Sequence, residues 1–127
     1  MITPKDVRLG NVLIDIATGE FATVVALDEE NIITDQPGIE GYKPVDLTEP
    51  MLRICGFKQS AHNKREKFIS NREGEYQMYL RMDMKGNFYY DSLIQIRYLH
   101  QVQNIFAARN PGMELTVRPH EYGNIKP

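Results

Sequence analysis

The sequence contains no tryptophan and a single cysteine, Cys55, among its 127 residues. One cysteine cannot form a disulfide within the chain and cannot hold a zinc ion alone. No apolar run approaches the roughly 18 residues that a membrane-spanning helix needs, and the first residues lack the basic stretch and apolar run of a signal peptide. We therefore expect a cytoplasmic protein in a reducing compartment, without a membrane span.

The motifs of common catalytic and metal sites are also missing from the sequence. It has no glycine-rich phosphate loop, no serine elbow and no His-Glu-x-x-His pair. His62 and His120 have no metal-ligand spacing to each other, and the acidic run Asp28-Glu29-Glu30 lacks the glycine and spacing of a calcium loop. The sequence therefore predicts a protein that is not an enzyme and has no catalytic residue, metal ligand or cofactor.

The charges are unevenly distributed along the chain. Hydrophobic residues make up 42% and charged residues 25%, which is typical of a globular protein. Residues 1–57 carry four basic and ten acidic side chains, whereas residues 58–127 carry eleven basic and seven acidic ones. The favoured interpretation is that two oppositely charged units dock on each other. The alternative is a surface for nucleic acid or a partner on the basic half.

Short strands closed by turns fill the first part of the chain. Proline and glycine separate the strands that we predict at residues 11–16, 21–27, 32–34 and 42–47. Both faces of the segment 21–27 carry apolar or small side chains, so this strand is expected to be covered on both sides. Pro44 confines the last strand to a sheet edge. Residues 1–47 are thus predicted to form a small barrel-like β unit.

Residues 48–118 are predicted to form a second unit, followed by a flexible tail at 119–127. Thr48 is suited to cap a helix that ends at Gly56, and a hairpin turn is predicted at Gly86-Asn87. Apolar spacings of three and four residues predict a second helix. The predicted order is a helix from 48, strands at 67–70, 76–84 and from 88, a helix at 97–109 and a strand at 113–117.

Together these elements predict an α+β fold. A small β-barrel-like unit precedes an antiparallel sheet that two helices cover on one face. Strict alternation along residues 76–84 places Tyr79 and Arg81 in solvent. The predicted contacts join Met78, Leu80 and Met82 of the sheet to Leu52, Val102 and Phe106 of the helices. The two units are alternatively parts of one compact domain.

Two segments of the sequence resemble a known family. They are Pro44-Val45-Asp46-Leu47-Thr48-Glu49, leading to Gly56-Phe57, and Tyr98-Leu99-His100-Gln101-Val102-Gln103-Asn104-Ile105-Phe106-Ala107. With the opening Val7-Arg8-Leu9-Gly10-Asn11, they resemble a family of short uncharacterised proteins encoded by phages and mobile elements of gut anaerobic bacteria. The His-Gln-x-Gln-Asn run carries most of this likeness. The chain departs from the family pattern at Arg109-Asn110-Pro111-Gly112, a longer turn. The resemblance implies an origin and no activity.

Three groups of polar residues are candidate sites. His100, Gln103 and Asn104 share one face of the second predicted helix, which suits either recognition or, in our preferred interpretation, hydrogen bonds to nearby backbone. The wet face of the predicted sheet carries Gln77, Tyr79, Arg81 and Tyr89, which suits base stacking or ordinary cross-strand pairing. The basic segment contains Lys58, Lys64, Arg65, Lys67 and Arg72, which is typical of a solvated loop and edge strand.

These observations favour a non-catalytic accessory or adaptor protein of a prophage or mobile element. It would act through contacts with another protein or with itself, and not with a membrane. The alternative function is weak single-stranded nucleic-acid binding by the C-terminal unit, through its basic segment and the tyrosine–arginine face.

Overall fold

The computed structural model describes residues 2–55, 57–59, 67–70, 79–90, 94–109 and 117. The fold is α+β, which confirms the predicted class. The chain begins with a short 3₁₀ helix, Pro4–Asp6. The strands are β1 (Val12–Asp15), β2 (Phe21–Leu27), β3 (Ile32–Thr34), β4 (Tyr42–Pro44), β5 (Phe57–Gln59), β6 (Lys67–Ser70), β7 (Tyr79–Met82), β8 (Phe88–Tyr90) and β9 (Ile94–Ile96). The helices are α1 (Glu49–Ile54) and α2 (Leu99–Arg109).

The first four strands form a curled antiparallel half-barrel in the order β3-β2-β1-β4. The carboxylate of Asp15 fixes two loops of this half-barrel, the one that contains Ala17 and the one that contains Gly38. Asp15 is fully buried, and it accepts hydrogen bonds from the N–H of Ala17 at 3.0 Å and the N–H of Gly38 at 2.9 Å. These bonds satisfy backbone donors that the turns leave unpaired. One buried side chain at the end of β1 therefore sets the shape of both adjoining loops.

Strand β1 is buried on both faces, whereas β2 is not. All four residues of β1 are buried. In β2 the side chain of Val25 is 57% exposed, so the predicted cover on both sides is wrong at this position. The strand register shifts between Val24 and Ala26, as in a β-bulge. Strand β1 contributes Val12 and Ile14 to one core cluster and Leu13 to the other, whereas Val25 lies beyond Thr23, the last residue of β2 in the register with β1.

The second sheet is antiparallel, with the order β5-β6-β7-β8-β9. The three predicted strands are its centre, and β5 and β9 extend it at the two ends. Leu80 is buried and Tyr79 is exposed, which confirms the predicted register. Residues 76–78 and 113–116, including Met78, lie outside the described residues. Val117 packs against the core.

The two helices begin where side chains satisfy their first backbone groups. The hydroxyl of Thr48 accepts a hydrogen bond from the N–H of Met51 at 3.3 Å, which confirms the predicted cap. Helix α2 starts at Leu99, two residues later than predicted. Before it, the side chain of Gln101 accepts hydrogen bonds from the N–H groups of Arg97 and Tyr98. No helix in the described ranges is long and apolar enough to cross a bilayer.

An apolar core connects the two sheets. It contains Val12 and Ile14 of the first sheet, Leu80 of the second and Phe106 of α2. The backbone also joins the sheets. An isolated bridge pairs Asp46 with Tyr98, and the flanking N–H groups of Leu47 and Leu99 donate to the carbonyls of Arg97 and Val45, both at 2.9 Å. The segments before and after Leu47 therefore share core and backbone contacts.

Candidate functional site

Gln103 of α2 holds the start of β1. The N–H of Val12 donates to its Oε1 at 2.9 Å, and its Nε2 donates to the carbonyl oxygen of Gly10 at 3.1 Å. Pro44, the last residue of β4, pairs with Leu13, so the backbone before Leu13 extends past that strand. The Gln103 amide satisfies this backbone in place of a neighbouring strand. This side chain is therefore used inside the molecule.

Asn104 makes a second contact beside the first. The side-chain amide of Asn11 donates to Oδ1 of Asn104 at 2.9 Å, and Asn11 accepts the N–H of Arg8 at 2.8 Å through its own Oδ1. Asn11 is buried. A buried amide needs such partners because an unsatisfied polar group is costly. The pair therefore fixes the turn that leads into β1.

His100 lies in the first turn of α2, beside an open cleft of about 450 Å³. The imidazole is only 6% exposed and stacks on Tyr98, with ring centroids 5.8 Å apart. Its Nδ1 is buried and has no hydrogen-bond partner among the described residues. The cleft is lined by Ile2, Asp6, Pro44, Tyr98, His100, Gln101 and Asn104. Of the three predicted polar residues, His100 is the one without a hydrogen bond to the β1 region.

The carboxylate of Asp6 lines the same cleft, so a histidine and an acid do share one cavity. Asp6 Oδ2 already accepts the N–H and the hydroxyl of Thr3, at 2.9 and 2.8 Å. The backbone hydrogen bond from Thr3 is the main cause that holds the pKa of Asp6 below its usual value. Among the described contacts, none is a hydrogen bond between Asp6 and His100. The hydrogen bonds described for the Asp6 carboxylate are therefore both to Thr3.

Burial of His100 predicts a dependence of stability on pH. Desolvation lowers its pKa below 6.5, and the charge of Asp6 opposes this shift. The unfolded chain therefore binds a proton more readily than the folded one. The contribution of neutral His100 to the free energy of unfolding is complete at pH values above the pKa of the unfolded chain. It decreases as pH drops below 6.5 toward the pKa of the folded chain, by at most about 1.4 kcal/mol per pH unit. Urea unfolding between pH 5 and pH 8 measures this slope.

The variant His100→Leu provides the comparison for the pH experiment. It lacks the titrating ring but leaves all other groups in place, His62 and His120 included. We expect a smaller loss of stability on acidification in His100→Leu than in the wild type. Equal slopes for the two proteins would contradict the assignment of this pH dependence to His100.

The outer face of the second sheet carries Tyr79, Arg81 and Tyr89. Tyr79 is 51% exposed. Arg81 pairs with Tyr89 across the strands, and its guanidinium lies 4.7 Å from the centroid of the Tyr89 ring. A cation–π contact of this kind stabilises a solvent-facing sheet. Gln77, the fourth residue predicted for this face, lies outside the described residues.

Asp83 adds negative charge next to this face. Its Oδ2 accepts the hydroxyl of Tyr89 at 3.2 Å, and its Oδ1 accepts the backbone N–H of Asn87 at 2.9 Å. The bond from the Asn87 backbone is the main cause of its lowered pKa, so the carboxylate is ionised at neutral pH. A negative charge beside the Arg81–Tyr89 pair weakens attraction to phosphate.

The structure places only part of the basic segment. Lys58 belongs to β5 and Lys67 to β6. Lys64, Arg65 and Arg72 lie outside the described residues, as do His62 and His120.

Cys55 is buried at the end of α1, in agreement with the prediction of a core residue. Burial raises the pKa of its thiol to about 12. The thiolate is the reactive form of cysteine. The thiol of Cys55 is therefore protonated at neutral pH and packs in the core.

The sequence did not single out the edge of the first sheet, formed by β3. Val24 and Thr34 are paired and both buried, and Val25 and Ile33 lie next to this pair, at the register shift between the two strands. Val25 and Ile33 are 57% and 51% exposed. The turn before β3 and the residue after it are acidic and exposed: Asp28, Glu29, Glu30 and Asp35. The apolar pattern of β2 was the available signal, but it did not show which strand is at the edge.

The described residues contain no group of three or more histidine, cysteine, aspartate or glutamate side chains placed to hold a metal ion. Comparison with protein-family models, with curated proteins and with solved structures finds no match to this chain.

Proposed function

We propose that the chain is a non-catalytic accessory or adaptor protein of a prophage or mobile element, which acts in the cytoplasm by binding another protein. The assignment to a prophage or mobile element depends on the family resemblance of the His100–Asn104 run. The proposed mode of action, which is protein binding without catalysis, is supported by two structural observations. Gln103 and Asn104 are occupied by internal hydrogen bonds, and the His100 cleft lacks an assembled catalytic set.

The edge of the first sheet is the observation that carries this proposal. Strand β3 ends the sheet order, and Val25 and Ile33 are exposed there. Exposed β-branched side chains on an edge strand favour association with another chain, and many proteins protect such edges with lysine, proline or a covering loop. The exposed side chains at the start and centre of this edge are Asn31 and Ile33, with acidic residues before and after them. A partner that covers Val25 and Ile33 would remove apolar surface from water.

Substitution at Ile33 tests the proposal. We expect one host protein to be retained by the wild type and lost with Ile33→Asp, because a carboxylate at the centre of the contact cannot be desolvated without cost. Met84→Asp is the matched control, since Met84 is fully exposed in the β7–β8 turn of the other sheet. Affinity capture from host lysate with the three proteins measures this. If no retained protein depends on Ile33, the proposed contact is wrong.

Single-stranded nucleic-acid binding is the second candidate, and the exposed ring of Tyr79 beside Arg81 supports it. The ionised Asp83 and the acidic N-terminal half oppose it. We expect a fluorescence titration with mixed-sequence oligonucleotides at moderate salt to show no binding tighter than about 1 μM, within the range of non-specific association. Submicromolar, salt-sensitive binding that Tyr79→Ala abolishes would favour nucleic acid over the adaptor function.

A further inference from the structure

We infer that the β3 edge binds an extended, basic segment of the partner protein, an inference that rests on the proposed function. The segment adds to the first sheet as a fifth strand beside β3. This inference names the chemistry of the partner. It depends on three properties of the edge: its backbone, its apolar side chains and its charge.

The backbone of β3 is paired on one side only in the described part of the chain. Within that part, β3 pairs with β2 and with no other strand. An edge strand presents N–H and C=O groups toward the side without a neighbour, and an extended peptide can pair with them. The orientation of β3 is fixed, because Thr34 is buried and its hydroxyl donates to the hydroxyl of Tyr42 at 3.0 Å.

The exposed side chain of Ile33 favours a partner segment in which every second residue is apolar. Val25, at the register shift beside Ala26, is exposed, and Ile33, which pairs with Ala26, is exposed on the face of β3 opposite to the buried Thr34. An added strand places alternate side chains on that face. Apolar residues at those positions would cover Ile33. The residues between them face the opposite side, on which Thr34 is already buried.

The charge of the edge favours a basic partner. Asp28, Glu29 and Glu30 precede β3 and Asp35 follows it, all exposed. Asp28 accepts the N–H groups of Glu30 and Asn31 at 2.8 and 2.7 Å, and the bond from Glu30 is the main cause of its lowered pKa. The carboxylate of Asp28 is therefore ionised at neutral pH, and acidic side chains lie at both ends of this three-residue strand. Lysine or arginine near the ends of the added segment would be attracted to them.

The same charges disfavour pairing of β3 with the β3 of a second copy. A two-fold axis at Ile33 would bring the turn 28–30 of one copy beside Asp35 of the other, at both ends of the pair. Like charges placed opposite each other across strands are destabilising. A basic segment of another protein meets no such repulsion.

Synthetic peptides test the inference directly. The probe is a nine-residue peptide with two lysines at each end and alternating valine and threonine between them, compared with an analogue that has glutamate at the ends and with the lysine peptide N-methylated at alternate residues. We expect the basic peptide to bind at least about tenfold more tightly than either comparison peptide, since the first lacks the charge attraction and the second the backbone pairing. Amide chemical shifts of residues 32–34 report the position of the peptide.

Variants of the chain separate the contribution of the apolar contact to peptide binding from that of the charge attraction. Ile33→Ser should weaken binding of the basic peptide, and Met84→Ser should leave it unchanged. The double variant Glu29→Gln, Glu30→Gln should reduce the preference for lysine over glutamate peptides. Equal binding of the basic and acidic peptides, or shifts confined to the second sheet, would overturn the inference.

The outcome is distinguishable from that of the proposed function. If a host protein is captured through Ile33 but no basic peptide binds, the adaptor function stands and the basic-strand inference is wrong. If the chain instead forms dimers that Ile33→Ser dissociates in analytical ultracentrifugation, the edge binds a second copy, which also contradicts the inference.

Discussion

Replacement of Gln103 with leucine is expected to lower the free energy of unfolding by about 2–5 kcal/mol. The substitution leaves the N–H of Val12 and the carbonyl of Gly10 without their side-chain partner. Loss of its partner costs a buried group such as the Val12 N–H about 1–3 kcal/mol, and the part-buried carbonyl of Gly10 about 1–2 kcal/mol. Urea unfolding measures the difference. The effect is large for a polar residue because Gln103 satisfies both groups at once.

Two further variants test whether the lost hydrogen bonds cause the destabilisation of Gln103→Leu. Gln95→Leu replaces an exposed glutamine of β9 and should change stability by less than about 0.5 kcal/mol. Gln103→Glu keeps an acceptor for Val12 but loses the donor to Gly10, so it should also be destabilised. If Gln103→Leu is as stable as the wild type, the polar face of α2 does not hold the two parts of the chain together, and its availability for recognition must be reconsidered.

Replacement of Gly38 with alanine is the second change with a large expected effect. Gly38 has a backbone φ of +65°, and a Cβ at this position would overlap the hydroxyl of Tyr42. The left-handed conformation costs a non-glycine residue about 1–2 kcal/mol, and overpacking adds about 1–3 kcal/mol. We therefore expect a loss of about 2–5 kcal/mol, measured by thermal or urea unfolding.

Gly19→Ala is the matched control for Gly38→Ala. Gly19 has a φ of +72°, but among the described residues no atom beyond its chain neighbours lies within 4 Å of the position that a Cβ would take. It should therefore show the backbone cost alone. Equal destabilisation of the two variants would show that Tyr42 moves aside without cost and that the Gly38 loop is not fixed by packing.

The local features of the fold were predictable from the sequence. Alternation around Leu80 identified the buried face of the second sheet, because side chains of a strand point to opposite sides in turn. Thr48 identified the start of α1, because its hydroxyl suits a free backbone donor. Both signals are contained within a few residues. The class of the fold followed from the order of such segments.

The features that depend on distant contacts were not predictable in the same way. Helix α2 begins at Leu99 because residues 97–99 contact the backbone around Asp46, more than fifty positions earlier in the chain. Gln103 was placed on a polar face, but its partner Val12 is 91 residues away. The apolar pattern of β2 could not show that Val25 is exposed, because exposure depends on where β2 lies in the sheet. The exposed edge at Val25 and Ile33 therefore depends on the sheet topology and not on a local sequence pattern.

Photo-cross-linking from position 33 tests the central claim, that the chain binds another protein through the β3 edge. A benzophenone side chain is introduced at position 33 or, as the control, at position 84, and cross-linked products from host cells are mapped by mass spectrometry. We predict a cross-link from position 33, and not from position 84, to a lysine- or arginine-rich extended segment of one protein. Cross-links from position 84 alone, or no protein cross-link from position 33, would contradict the account.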